Sequence, residues 1–199
     1  MDIEYEATFP DVNKNDIRRK LIAVGATLVK PEFLQKRTVF FLPKGHEVKG
    51  GWVRVRDESD KTTMSFKIVD GSGIQDQKEI CLIVDNFENA EQFLIGIGCV
   101  KKAYQENKRE KWLLDGVEIT IDEWPFLEPF VEVEGKSEEV VKKVSEKLRF
   151  DYSKAVFGSV DVLISKKYDI SEDDINDHTP SIVFGKENPF LIHQKNGRE

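Results

Sequence analysis

The chain has 199 residues, 39% of them apolar and 34% charged, with 30 basic against 37 acidic side chains for a formal net charge of −7. That mixture is too apolar for a disordered chain and too acidic for a general nucleic-acid binder, and no apolar run approaches the roughly 18 residues of a membrane-spanning helix. Cys81 and Cys99 form neither a disulfide framework nor a metal-ligand cluster, and Met1-Asp2-Ile3-Glu4 shows no basic stretch before an apolar one. The expectation is a cytoplasmic protein with no signal peptide, no membrane contact and no nucleic-acid partner.

In chain order, Ile3 to Phe9 alternates, with Ile3, Tyr5, Ala7 and Phe9 on one face and Glu4, Glu6 and Thr8 on the other. This is the period of a half-buried strand. Asn13 or Asn15 caps a helix that carries Ile17, Leu21, Ile22 and Val24 on one side and ends at Gly25. Ala26 to Leu42 reads as a long strand interrupted at Pro31. A loop from Pro43 to Gly51 leads to a strand at Trp52–Arg56, and strands at Thr62–Val69 and Gln75–Val84 flank Gly71-Ser72-Gly73. Asn86 or Asn89 starts a second helix running through Leu94. Lys101–Leu114 and Val117–Trp124 flank Asp115-Gly116, a strong hairpin signal. A strand at Phe130–Glu134 follows, then a helix from Ser137 to about Leu148 and another over Ser153–Tyr168. Residues 1–169 therefore read as one domain and 170–199 as a polar, irregular tail, draped over the domain or mobile. With about eight strands joined by hairpins or single helices, the fold class is α+β: an antiparallel sheet, strongly curved or closed into a barrel, with helices packed outside.

Charge at i, i+2 spacing recurs on several of these strands. Glu4 and Glu6 share a face, as do Arg54 and Arg56, Thr120 and Asp122, Ser65 and Lys67, and Glu132 and Glu134. A solvated sheet face would look the same. The opposite faces, however, carry Ile3, Tyr5, Phe9, Val53, Val55, Val131 and Val133, which an outer helical layer would cover. The charges then turn inward, where they need counter-charges or a metal. Acid clusters suit a hard divalent cation, and guanidinium clusters suit a polyphosphate.

On these residues the sequence resembles the CYTH superfamily, the triphosphate tunnel metalloenzymes. Glu4-Tyr5-Glu6 stands at the family's opening Glu-x-Glu-x-Lys, and Arg54-Val55-Arg56 at its Arg-x-Arg. Lys67, Lys78-Glu79, Arg109 with Asp122, and Phe130-Val131-Glu132-Val133-Glu134 follow in the family's order. The resemblance implies an eight-stranded antiparallel barrel forming a tunnel. It implies Mg²⁺ or Mn²⁺ on Glu4, Glu6, Asp122, Glu132 and Glu134. A triphosphate would lie on Arg54, Arg56, Lys67, Lys78, Arg109 and Arg37, with Glu79, Lys67 and Arg109 serving the chemistry. The activity it implies is metal-dependent hydrolysis of a small-molecule triphosphate, inorganic or organic. A class IV adenylate cyclase, and a module that binds polyphosphate without turning it over, are the alternatives; a homodimer stays open.

Three positions depart from the pattern. Thr8 stands where the family has lysine, Asn107 where some members have a second basic residue, and Gln35-Lys36-Arg37 where many read Gln-x-Asp. Lys36 or Arg37 could restore the lost charge. His46, His178 and His193 are scattered without ligand spacing, both cysteines are expected as buried thiols, and Trp112 and Trp124 are expected in packing.

Overall fold

A computed structural model describes residues 1–191. The last part of the expected tail, including His193, lies outside the described residues.

The apolar faces named above find helices, except at Ile3, which is exposed. Strands β1 (Asp2–Ile3) and β2 (Tyr5–Phe9) are followed by α1 (Lys14–Ala23), whose first turn is capped by the Asn13 side chain accepting from Asn15 and Asp16. The long β3 (Thr27–Phe41) leads to β4 (Gly51–Asp57), β5 (Thr62–Val69) and β6 (Gln77–Val84). After α2 (Phe87–Gly96), β7 (Val100–Leu114) turns at Asp115-Gly116 into β8 (Val117–Glu123). Both turn residues have positive φ, 53° and 80°, as a tight hairpin that follows the strand twist requires. Then come β9 (Phe130–Gly135), α3 (Glu138–Lys147), α4 (Val160–Tyr168), α5 (Glu172–His178) and β10 (Ser181–Ile182).

The sheet runs β1-β6-β5-β4-β3-β7-β8-β9-β2, with β10 added in parallel beside β7. Since β1 and β2 are one segment broken at Glu4, the nine strands on that path make eight passes of the chain (9 − 1 = 8). The first segment pairs β6 through Asp2 and Ile3 and β9 through Tyr5–Phe9, so it nearly closes the sheet into an antiparallel barrel.

The outer layer is apolar. Ala7, Phe9, Val131 and Val133 pack under Ile17 and Leu21 of α1, Val141 and Val144 of α3, and Leu148 at the C-terminal cap of α3. Phe40, Val53 and Val55 pack under Ala90 and Leu94 of α2. Burying an aliphatic side chain of this size stabilises by roughly 1.5–3 kcal/mol, so the helices fix which strand face turns in.

Four local expectations change. The helix expected over Ser153–Tyr168 is broken: Tyr152–Lys154 is a single 3-10 turn and α4 starts at Val160. Val156 exchanges two 2.9 Å backbone hydrogen bonds with Thr8, satisfying the edge of β2 that β9 leaves free, and Gly158 has φ +110°, outside helical backbone. Pro31 does not end β3; it sits within the register shift between Lys30 and Phe33, where β3 has β7 but not β4 beside it. Ile22 is exposed, one position round the helix from buried Leu21. Cys81 is exposed while Cys99 is buried, because β1 covers β6 only at Lys78 and Glu79.

Between Ile170 and Leu191 the chain is not irregular, since it forms α5 and β10. Ile175, Ile182 and Phe190 join Trp124, Phe130, Leu163, Ile164 and Tyr168 in one buried cluster. Trp124 lies two residues beyond Asp122 and Phe130 two before Glu132, so this cluster continues the inner face of β8 and β9 as an apolar plug. Phe190, fully buried, makes the segment part of the core. Phe190→Ala should therefore cost about 3–5 kcal/mol in a urea melt; a change under about 0.5 kcal/mol, as at an exposed site, would contradict that packing.

Candidate functional site

Strand alternation delivers to the barrel interior most of the residues singled out by their spacing. On one side are Lys67 of β5, Arg54 of β4 and Glu79 of β6. Lys67 Nζ lies 2.6 Å from Glu4 Oε2 and 4.0 Å from Glu79, and Arg54 Nη2 donates to Glu79 at 3.1 Å. On the other, Arg109 of β7 donates through Nε to Asp122 at 2.8 Å and through Nη2 to Glu132. Asp122 is fully buried and also accepts from Asn107 Nδ2 and Thr120 Oγ1, each at 2.6 Å.

Between these groups the charges sort by sign. Arg37 and Arg56 face each other across β3 and β4, close to Arg54. The Nε atoms of Arg37, Arg54 and Arg56 are buried with no hydrogen-bond partner among the described residues. Burial and the neighbouring Arg54 and Arg109 bring the Arg56 guanidinium down to about 10; burial, with Arg56, Arg54 and Arg109, drives that of Arg37 well below its ordinary value.

The acid side mirrors this. Glu6 stands opposite Glu134, which stands opposite Glu118, and Thr8 stands opposite Glu132. Glu6 and Glu134 have no ion pair among the described residues. Burial and Glu132 raise Glu6 well above the carboxylate range, and burial with Glu118 raises Glu134. Glu4 is pushed up to about 7 by burial and by its hydrogen bond to Glu79. Burial pushes Glu79 the same way, but the hydrogen bond from Glu4 and the charges of Lys67 and Arg54 hold it well below the usual range.

Two expected assignments shift. Lys78 does not face the interior: it pairs with Asp70 on the outer surface at 2.7 Å. Adjacent strand residues point to opposite faces, so with Glu79 inside Lys78 must lie outside. Glu4 and Asp122, expected among metal ligands, are engaged by Lys67 and by Arg109, Asn107 and Thr120. Among the described residues no three His, Cys, Asp or Glu side chains converge as a ready-made metal cage. Of the two candidates for a restored charge, Arg37 is buried inside and Lys36 is exposed.

The structure adds Lys111 and Glu58. Lys111 follows Arg109 by two residues on the same face, a signal already in the spacing, and lies 3.5 Å from Glu58 and 3.2 Å from Glu118. Glu58, buried just beyond β4, also lies near Arg56 and Lys61. It stands after the strand, where alternation no longer assigns a face.

A barrel whose interior pairs carboxylates with arginines in this order matches a family model, the CYTH domain, over residues 2–162. The chain belongs to the CYTH domain family. Its fold is similar to that of a conserved hypothetical protein of Pyrococcus furiosus, with TM-score 0.64 and 20% identity over 76% of this chain and 94% of that one. It is also similar to a "putative adenylate cyclase" of Vibrio parahaemolyticus, with TM-score 0.69 and 11% identity over 82% and 98%. A third similar structure is a "putative adenylyl cyclase" of Hippeastrum described as revealing a dominant triphosphatase activity, with TM-score 0.55 and 16% identity over 83% and 96%. No curated protein matches the CYTH chain. No helix among its described residues is long and apolar enough to cross a membrane.

The raised carboxylates set a sign for pH dependence. Glu4 binds its proton more tightly folded than unfolded, so its contribution is complete below about pH 4.5 and is lost as pH rises through about 7. Stability measured in EDTA should fall between pH 5 and 8, and Glu4→Gln should remove on the order of 2–3 kcal/mol of that fall. Parallel pH profiles for variant and wild type would contradict the shift.

Proposed function

We propose that this CYTH protein hydrolyses a terminal phosphoanhydride bond of a triphosphate bound inside the barrel, with Mg²⁺ or Mn²⁺ as cofactor. The observation that carries the reading is the sorted interior, with buried guanidiniums whose Nε atoms lack acceptors beside Glu6 and Glu134, which lack cations. A metal–triphosphate complex presents both complements, phosphate oxygens to the arginines and a cation to the acids.

The donor set fits such a cation. Mg²⁺ is commonly held by one or two carboxylates together with substrate phosphates rather than by an all-protein cage. Glu6 and Glu134, with Glu132 beside them, would hold it. When bound, the metal offsets phosphate charge and makes a coordinated water more acidic.

The protein's own groups do the rest. Arg54, Arg56 and Arg37 hold the phosphate chain, and Lys67 and Arg109 stabilise the charge that grows on the departing diphosphate. Glu79 is a positioning residue, fixing Arg54 and orienting Lys67. Water attacks the terminal phosphorus in line, the bridging P–O bond breaks, and phosphate and diphosphate (or the organic diphosphate) leave with one proton released. The buried polar lining keeps these interactions strong.

The test is a panel of tripolyphosphate, thiamine triphosphate and ATP with Mg²⁺ or Mn²⁺. Metal-dependent phosphate release is expected. Pyrophosphate with cyclic AMP from ATP would indicate a cyclase, and no turnover with tight binding a polyphosphate-binding module. Glu132→Gln and Glu134→Gln should each lower turnover about 100-fold or more at limiting metal with the fold retained; full activity in both would remove them from the metal site.

A further inference from the structure

Strand β6 has neighbours on both sides only as far as Glu79. β1 accompanies it at Lys78 and Glu79, and the Glu4 N–H donates to the Gln77 carbonyl at 3.0 Å, so the backbone groups of Gln77 and Glu79 face β1. Backbone groups along an antiparallel strand alternate between its two sides. The N–H and C=O of Cys81 and Ile83 therefore point the same way, past the end of β1, where no strand meets them among the described residues. The fold covers comparable stretches elsewhere: Val156 answers Thr8 on β2, and β10 lies beside β7 at Tyr104 and Gln105.

The side chains set this edge apart. Ile80, Leu82 and Ile83 are 46%, 53% and 76% exposed, and Cys81 among them is exposed too. Of β6, only Val84 reaches the apolar cluster under α2. Solvated edge strands are commonly guarded by lysine, proline or a bulge. Ile80-Cys81-Leu82-Ile83-Val84 has none of these and pairs with β5 without a register shift.

Such an edge accepts an added strand, and the strand that suits it is uncharged and apolar on both faces. β6 is itself such a strand. A two-fold axis at Leu82 runs two copies antiparallel, as that symmetry requires, and sets Cys81 opposite Ile83 of the partner subunit. Both residues point their free N–H and C=O across the seam, so four backbone hydrogen bonds close it. Leu82 then meets its own copy on the outer face, with Ile80 and Val84 to either side. The eight residues beyond Leu191 carry one apolar side chain, Ile192, and offer no comparable strand.

We propose that the exposed edge of β6 is a dimerisation seam, joining two barrels of this chain through one continuous sheet. The seam is far smaller than the roughly 20–30 residues per side of a stable interface, so the dimer is reversible, with a Kd on the order of 10–100 µM. This inference is independent of what the barrel binds.

Sedimentation equilibrium of the full chain up to about 500 µM, several times that Kd, tests it on wild type, Leu82→Lys, Ile83→Pro and Ile22→Lys, with a thermal melt of each. The Ile83 N–H points away from β5, so proline there removes a seam donor and leaves the β5–β6 ladder intact. Leu82→Lys and Ile83→Pro should each weaken dimerisation at least about 10-fold. Ile22, 66% exposed on α1, lies off the seam, and Ile22→Lys should leave the dimer unchanged. A wild type that stays monomeric throughout overturns the proposal. So does a dimer as strong in Leu82→Lys and Ile83→Pro as in wild type, or in Leu82→Lys alone should the proline variant not fold. Equal weakening by Ile22→Lys would mean general apolar association and overturns it as well.

Discussion

Like charges gathered inside a barrel are the constraint on which the rest of this structure turns. Arg37, Arg54 and Arg56 crowd one part of the interior and Glu6, Glu132 and Glu134 another, while Arg109 and Lys67 bridge between cations and acids. Full internal pairing would have left an inert polar core. Instead, burial and mutual repulsion leave Arg37 and Arg56 with lowered pKa values and Glu6 and Glu134 with raised ones. Each zone holds unsatisfied charge of one sign, and a polyanion carrying its own cation complements both at once.

The fold supports this charge from outside. On β2, β4 and β9 the inward Arg or Glu residues alternate with outward apolar residues, and α1, α2 and α3 bury those residues against the sheet. A slip of one residue in any of these three strands would bury charge under a helix and turn apolar side chains to the interior, so the outer packing also fixes the register of the site. The plug formed by Trp124, Phe130 and the segment through Phe190 bounds the interior and stacks a ring on Arg37. Chain far from the charged strands in sequence thus shapes the space in which they act.

Much of this was legible in the sequence because a strand has only two faces. The i, i+2 pairs Arg54/Arg56 and Glu132/Glu134 could project only together, and the valines between them told which side the helices would take. The same rule excluded Lys78 once Glu79 was inside, and it would have found Lys111 from Arg109. It could not choose between Lys36 and Arg37, since β3 bears few large apolar residues there to mark its outer side. Glu58 was illegible for a related reason, standing in a turn where alternation has ended. Helical periodicity over Ser153–Tyr168 misled because Val156 answers to a non-local demand, the free backbone edge at Thr8. The tail concealed its role because, among its described residues, three well-spaced apolar side chains, Ile175, Ile182 and Phe190, supply its buried apolar surface amid polar neighbours.

The most direct test of the account is an experimental structure with tripolyphosphate and Mg²⁺ added. The account places phosphate oxygens within hydrogen-bond distance of the Nε atoms of Arg37, Arg54 and Arg56, which now lack acceptors, and the cation between those oxygens and Glu6 or Glu134. Tripolyphosphate found only on the outer surface, with the three guanidiniums unchanged inside, would contradict it.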